Sequence, residues 1–312
     1  MDILALFNSL SPSLAQGLLW GIMAIGVYMT FKILDFADLS VDGSLALGGA
    51  VAVMALVKGF SPEVALLFAT CSGFAAGLIT GIPHTLLAIP DILAGILTQI
   101  ALYSINLNIM GKANMAVNVE THRLIVSLRN IPHAILISAI FVAVIVVILY
   151  WFFGTEFGMT IRSTGCNKNM SRAQGINTDF ATVIVLALSN ALVGLSGGLI
   201  SQYSGNADVN MGRGAIVIGL AAVIIGEVLG EAILGKYLNF ALRLVFAAVG
   251  AVIYYIVITF VLWLGLPSED LKLFSAIVVA IFLAVPYLKG KYNSSFAKLA
   301  RQGGKQGKEA DE

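Results

Sequence analysis

Charge is what this sequence has least of. Only 11% of its 312 residues are Asp, Glu, Lys or Arg, against roughly a quarter in an ordinary soluble domain, which excludes a soluble enzyme. The 18 basic and 17 acidic residues leave a formal charge of +1, without the concentrated basic face that nucleic-acid binding requires. The three histidines, His84, His122 and His133, lie far apart. The two cysteines, Cys71 in an apolar run and Cys166 in a polar loop, give neither a disulfide framework nor a metal-ligand spacing. A catalytic triad or zinc centre has no material here, so no catalytic residue, metal or cofactor is expected in the chain itself. The first 17 residues carry Asp2 as their only charge and lack a basic region and cleavage site, so they read as retained rather than as a removable signal.

What is present is apolar surface: 59% of residues are hydrophobic and the mean hydropathy is +0.94. Runs able to span a bilayer occur at about 14–34, 42–59, 62–82, 92–111, 131–153, 179–203, 213–229, 237–266 and 270–288. Unpaired backbone groups cost several kcal/mol in lipid, and the alternating pattern of a barrel strand is absent, so these runs are expected to be helices. The predicted fold is an all-α polytopic bundle of about nine transmembrane helices. A transmembrane domain fills 1–288, and 289–312 forms a basic, flexible cytoplasmic tail. Many of the 32 glycines fall in small-xxx-small patterns such as Gly73, Gly77 and Gly81, or Gly194 and Gly198, which let helices approach closely. The run 213–229 is barely long enough to cross, so a full span and a re-entrant segment both remain open.

Lys and Arg concentrate in short cytoplasmic loops. The six basic residues after Pro286 therefore place the carboxy terminus in the cytoplasm, and nine crossings put the amino terminus outside. On this count Lys32, Arg162, Lys168, Arg172, Lys236 and Arg243 are inside, and Lys58, Lys112, Arg123, Arg129, Arg213 and Lys272 are outside. Ala37-Asp-Leu-Ser-Val-Asp42, followed by a Gly/Ala-rich helix, is echoed by Ala207-Asp-Val-Asn-Met-Gly212, 170 residues on. With one copy at the inner face and the other at the outer, this is the relation of an inverted internal repeat in a transporter. A chance match in a Gly/Ala/Val-rich chain is the competing account.

The polar loop of about 154–178 reads as a short helix. Asn167 caps a turn running from Lys168 to Ala173, and Gly175 takes the left-handed position that ends it. Met170 and Ile176 then project from a hydrophilic loop. Such a helix suits docking into a groove of a partner protein, and an interfacial helix on lipid headgroups is the alternative.

The stretch Arg162-Ser-Thr-Gly-Cys-Asn-Lys-Asn-Met-Ser-Arg-Ala-Gln-Gly-Ile-Asn177 resembles the coupling loop of permease subunits of ABC importers in the branched-chain amino acid and ribose class. Asp38-Leu-Ser-Val-Asp-Gly-Ser44 is similar to a helix start of the same class, and Gly73 to Leu93, with its Ile89-Pro90 turn, resembles the following helix pair. Asp42 stands where the sugar permeases carry Gly, and the amino terminus is too short for their additional first helix. Both differences move the resemblance toward the amino-acid branch, with greatest similarity to tryptophan/tyrosine importer permeases. The resemblance implies a permease that forms its pathway with a second copy in the cell membrane. It also implies two ATP-binding subunits, which hold ATP and Mg, and an external substrate-binding protein. Gly165, Cys166, Asn167, Lys168, Met170, Arg172, Ala173, Gly175 and Ile176 would contact the ATPase. The 112–130 loop, with Asn114, Asn118, Glu120, His122, Arg123 and Arg129, is the largest outer surface for the binding protein, and a solvated loop is the alternative reading.

Acids near membrane depth are functional hypotheses by default. Asp38 and Asp42 share one face of a helix start, where helix capping is the plain reading. The sharper one has Asp38, Ser40 and Asp42 lining the inner mouth of the pathway and Asp208 and Asn210 lining the outer. Gln99, Tyr103, Ser104, Asn106, Ser189, Asn190 and Gln202 need partners within the bundle, and Tyr103 and Asn106 lie on nearly one side of their helix. Glu227 and Glu231 are read as solvated ends or ATPase contacts. A sugar or nucleoside importer is the alternative substrate reading. An ion-coupled secondary transporter is the alternative mechanism, and it would need acids near helix centres, where the sequence reading places none.

Overall fold

The computed structural model describes residues 3–117, 124–264, 273–274, 276–277, 279–281 and 284. The expected span at 270–288 is largely outside these residues, and so are the tail and Asn118, Glu120, His122 and Arg123 of the outer loop. The described chain is an all-α polytopic bundle. Helix α1 (Ile3–Tyr28) continues through a π turn (Met29–Ile33), followed by α2 (Val41–Val57), α3 (Pro62–Leu86), α4 (Asp91–Met110) and α5 (Ile131–Gly154). Then come α6 (Glu156–Cys166), α7 (Lys168–Ala173), α8 (Thr178–Ser204), α9 (Ala215–Leu234) and α10 (Phe240–Trp263). Among the described residues seven helices are long and apolar enough to cross a membrane, and Val41–Val57 is a shorter apolar helix. Two three-residue strands, β1 (Asn114–Ala116) and β2 (Asn206–Asp208), pair antiparallel and tie the loop after α4 to the loop after α8.

Glycine sets the packing at the centre. Asp38 bonds Asn190, a Cβ on Gly197 would overlap the Leu45 carbonyl, and one on Gly49 would overlap the Ser201 hydroxyl. Each pair is 152 residues apart, so α2 lies parallel to α8 at one fixed register. Gly48 and Gly194 bring the two backbones together, where any side chain would collide. Helix α1 runs antiparallel to α8: Ser189 donates to the Gly26 carbonyl at 2.8 Å and Ser196 to that of Leu19 at 2.8 Å. Helix α9 runs parallel to α1, with Gly219 against Met23 and Val27, and Glu227 paired with Lys32.

These registers fix where each helix begins along its neighbours. The first turn of α9 lies level with about Trp20, midway along the 25-residue span Ser9–Ile33. Asn190, beside Asp38, lies near the middle of the 27-residue α8. Both α2 and α9 therefore start beside the middle of a longer helix and run to opposite ends, each preceded by non-helical chain, 34–40 and 205–214. The run 213–229 forms most of α9, which at 20 residues is long and apolar enough to cross a membrane.

Candidate functional site

The starts of α2 and α9 meet. The Asp42 carboxylate accepts the Gly214 and Ile216 amides, each at 2.9 Å. Gly212 packs so closely on the Asp42 backbone that no side chain fits. A helix start leaves unpaired N–H groups and a partial positive charge, and here another helix supplies the compensating anion from 172 residues away. Asp42 does cap a helix, though not its own.

Asp38 is only 1% exposed. Its Oδ1 accepts the Ser40 amide at 2.9 Å and the Ser40 hydroxyl at 2.5 Å, and its Oδ2 accepts the Asn190 side-chain amide at 2.7 Å. This is a satisfied buried network holding the 34–40 segment against α8. Asp208 makes the same local turn, its Oδ1 accepting the Asn210 amide at 2.7 Å.

Beside Asp42 lies a cavity of about 350 Å³, to which α4 contributes Gln99, Tyr103, Ser104 and Asn106 and the segment before α9 contributes Val209 and Arg213. A second cavity, about 560 Å³ and lined by Trp20, Tyr254 and Tyr255, meets the first at Arg213. The structure thus brings Asp42, Tyr103 and Asn106 to one cavity and leaves Asp38, Ser40, Asp208 and Asn210 off it. Asp42 and the 208–214 segment, read from sequence as lining opposite mouths, are direct neighbours, the Asp42 carboxylate holding the start of α9. Arg213, read from sequence as an outer-loop charge, lies at this junction.

At the far end of α8, the polar loop forms two helices where one was expected. Asn167 Oδ1 accepts the Met170 amide at 3.0 Å, α7 runs from Lys168 to Ala173, and Gly175 has φ of +80°. Met170 is 58% exposed, whereas Ile176 is half-buried. Arg172 is held by Thr178 and Asp179, each at 2.8 Å. Cys166, Asn167 and Ala173 are exposed, Lys168 is half-buried, and Gly165 lies against the Ile33 carbonyl of the π turn. The end of α6 therefore rests on the end of α1. Close by, Glu227 pairs with Lys32 at 2.5 Å and with Arg243 at 3.3 Å. Glu227 thus ties α1, α9 and α10 together. Cys71 and Cys166 are unpaired and exposed. No group of three or more His, Cys, Asp or Glu suited to a metal occurs among the described residues.

A multi-pass bundle in which two helix starts meet inside the structure, beside a cavity with polar side chains in its lining, fits a membrane permease. The chain belongs to the family described as "Branched-chain amino acid transport system / permease component", whose model matches residues 9–286. It is 40% identical over 286 residues to a tyrosine transport system permease protein of Clostridioides difficile, covering 92% of this chain and 94% of that one. Sugar permeases are more distant. The galactofuranose transporter permease protein of Escherichia coli is 28% identical over 80% of this chain and 71% of its own length, and the fructose import permease protein of Bifidobacterium longum is 28% identical over 78% and 68%. No solved structure gives a significant match. Members of this family are transport permeases rather than enzymes.

Proposed function

We propose that the chain is the membrane subunit of an ATP-driven importer of amino acids, with aromatic ones the first choice and branched-chain ones next. The observation that carries this is the 40% identity to a tyrosine permease along nearly the whole of both chains. In this reading the α6–α7 end is cytoplasmic, the β1–β2 end faces outward, and the pathway forms between two copies of the chain. Substrate arrives on an external binding protein. Two ATP-binding subunits, carrying ATP and Mg, dock on α7 through Met170 and its neighbours. Their closure moves α6 against the π turn at Ile33. The irregular 34–40 segment then transmits that movement to Asp42 and the start of α9, where the two helix starts meet. Met170 supports the docking role: it is a large apolar side chain held out by a capped helix on an otherwise polar loop.

The experiment is purification of the tagged chain from its native membrane, with identification of what accompanies it, alongside the Met170→Asp variant. Recovery of an ATP-binding subunit with the parent and a loss of most of it with the variant is the expected result. Burying a carboxylate in a protein groove costs several kcal/mol, while a 58% exposed side chain leaves the bundle itself unaffected. A transport-active chain recovered without any ATP-binding subunit would overturn the reading and restore the secondary transporter.

A further inference from the structure

Arg213 stands exposed at the start of α9, where it lines both cavities, and its guanidinium has no hydrogen-bond or ion-pair partner among the described residues. The adjoining cavity of about 350 Å³ is near the small end of the ordinary range for small-molecule sites, about 300–1,000 Å³. It holds a second unmatched group. Asn106 is fully buried, its side-chain amide N–H donates to the Gly43 carbonyl at 3.3 Å, and its Oδ1 has no partner. With its amide nitrogen turned to the Gly43 carbonyl, the unmatched atom is the acceptor Oδ1. The cavity is therefore lined by an unpaired planar cation and an unpaired buried acceptor, with the Asp42 carboxylate between α2 and α9 as its anionic edge.

We propose that this cavity is a binding site for the zwitterionic end of the transported amino acid. Arg213 takes the α-carboxylate, for which the guanidinium fork is suited. Asn106 Oδ1 and the remaining lone pairs of the Asp42 carboxylate take the α-ammonium, while Tyr103, Ile100 and Val209 offer a surface to the side chain. A neutral sugar would leave the arginine without a counter-charge, and a decarboxylated amine would do the same. The site rests on the amino-acid reading given above and adds to it where the substrate is recognised within this chain.

The test uses membrane vesicles carrying the full chain with Cys71→Ser, Cys166→Ser and a reporter thiol, Ser104→Cys, whose rate of alkylation is followed. L-phenylalanine or L-tyrosine is expected to slow labelling about threefold at a concentration of about twice its Kd, and phenethylamine is not. Arg213→Gln raises the concentration needed by about ten- to a hundredfold, the loss of one charge-assisted pair, and Arg213→Lys gives an intermediate value. Equal protection of the parent and Arg213→Gln, or equal protection by the amine, overturns the site. If Arg213→Gln fails to accumulate, the comparison of acid with amine on the parent decides alone. Uptake by the intact transporter is measured in parallel. Amino-acid uptake without protection at Ser104→Cys overturns this site only, whereas uptake of D-ribose and of no amino acid overturns the amino-acid reading itself.

Discussion

The turns at 37–42 and 207–212 start alike and end in different positions. In both, an aspartate accepts the amide two residues on, at 2.9 Å for Asp38 and 2.7 Å for Asp208, and a helix follows. Asp38 is then sealed against Asn190 by the glycine contacts between α2 and α8. Asp208 stays partly exposed at the end of the small sheet, with its strand paired to Asn114. Identical local chemistry thus gives one turn that is part of the core and one that borders a cavity. The difference arises from the packed neighbour rather than from the turn: Asn190 closes the first, and the second faces an arginine-lined cavity.

Removing Asp38 attacks the closed turn and has the largest expected effect. Asp38→Ala removes the acceptor of the Ser40 amide and of one Asn190 amide N–H in a dry core and leaves the Ser40 hydroxyl only Asn190 Oδ1 at 3.3 Å, at about 1–3 kcal/mol for each orphaned group. The yield of monodisperse protein and its melting temperature in detergent should both fall. Asn190→Leu takes one partner from the carboxylate and leaves it the Ser40 amide and hydroxyl, so it should cost less, about 1–3 kcal/mol. Normal stability in both variants would show that the segment 34–40 is not held by this network.

Asp42 lies between the two turns and comes next. Its two oxygens serve two N–H groups, so Asp42→Asn, with one acceptor oxygen, satisfies only one of them and turns an NH₂ toward the other. The expected loss is that of a helix cap, about 0.5–2 kcal/mol, small enough for the chain to assemble with its partners. Transport should drop further than stability does, because the start of α9 forms one wall of the cavity. A variant that no longer folds would assign Asp42 a purely structural role.

Much of this architecture is legible in the sequence because lipid makes hydropathy decisive. Eight of the expected spans correspond to α1–α5 and α8–α10, and the Asn167 cap and Gly175 stop of α7 follow from local rules that need no tertiary context. What the sequence does not show is register. Nothing local reveals that α2 and α8 align with an offset of 152, or that Asp42 caps a helix 172 residues away. Arg213 was hidden by the same blindness: a charge just before an apolar run reads as a loop residue unless its tertiary neighbours are known. Asp38 and Asp42 stand out in the sequence as a pair, yet their separate positions depend on Asn190 and Gly214, which no spacing rule connects to them.

Asp208→Ala sharpens the comparison from its weaker side. The substitution removes one acceptor from a partly exposed turn, where water replaces it, so the expected change in stability is within about 0.5 kcal/mol. The β1–β2 pairing uses backbone groups that the variant leaves in place. If Asp208 lined an outer mouth of the pathway, uptake would fall without loss of stability. The structure puts Val209 and Arg213, and not Asp208, on the cavity, so uptake should be close to that of the parent. A strong transport defect at unchanged melting temperature would therefore move the pathway outward from the junction of α2 and α9 to the sheet, and Arg213 would then have to act on substrate already selected above it.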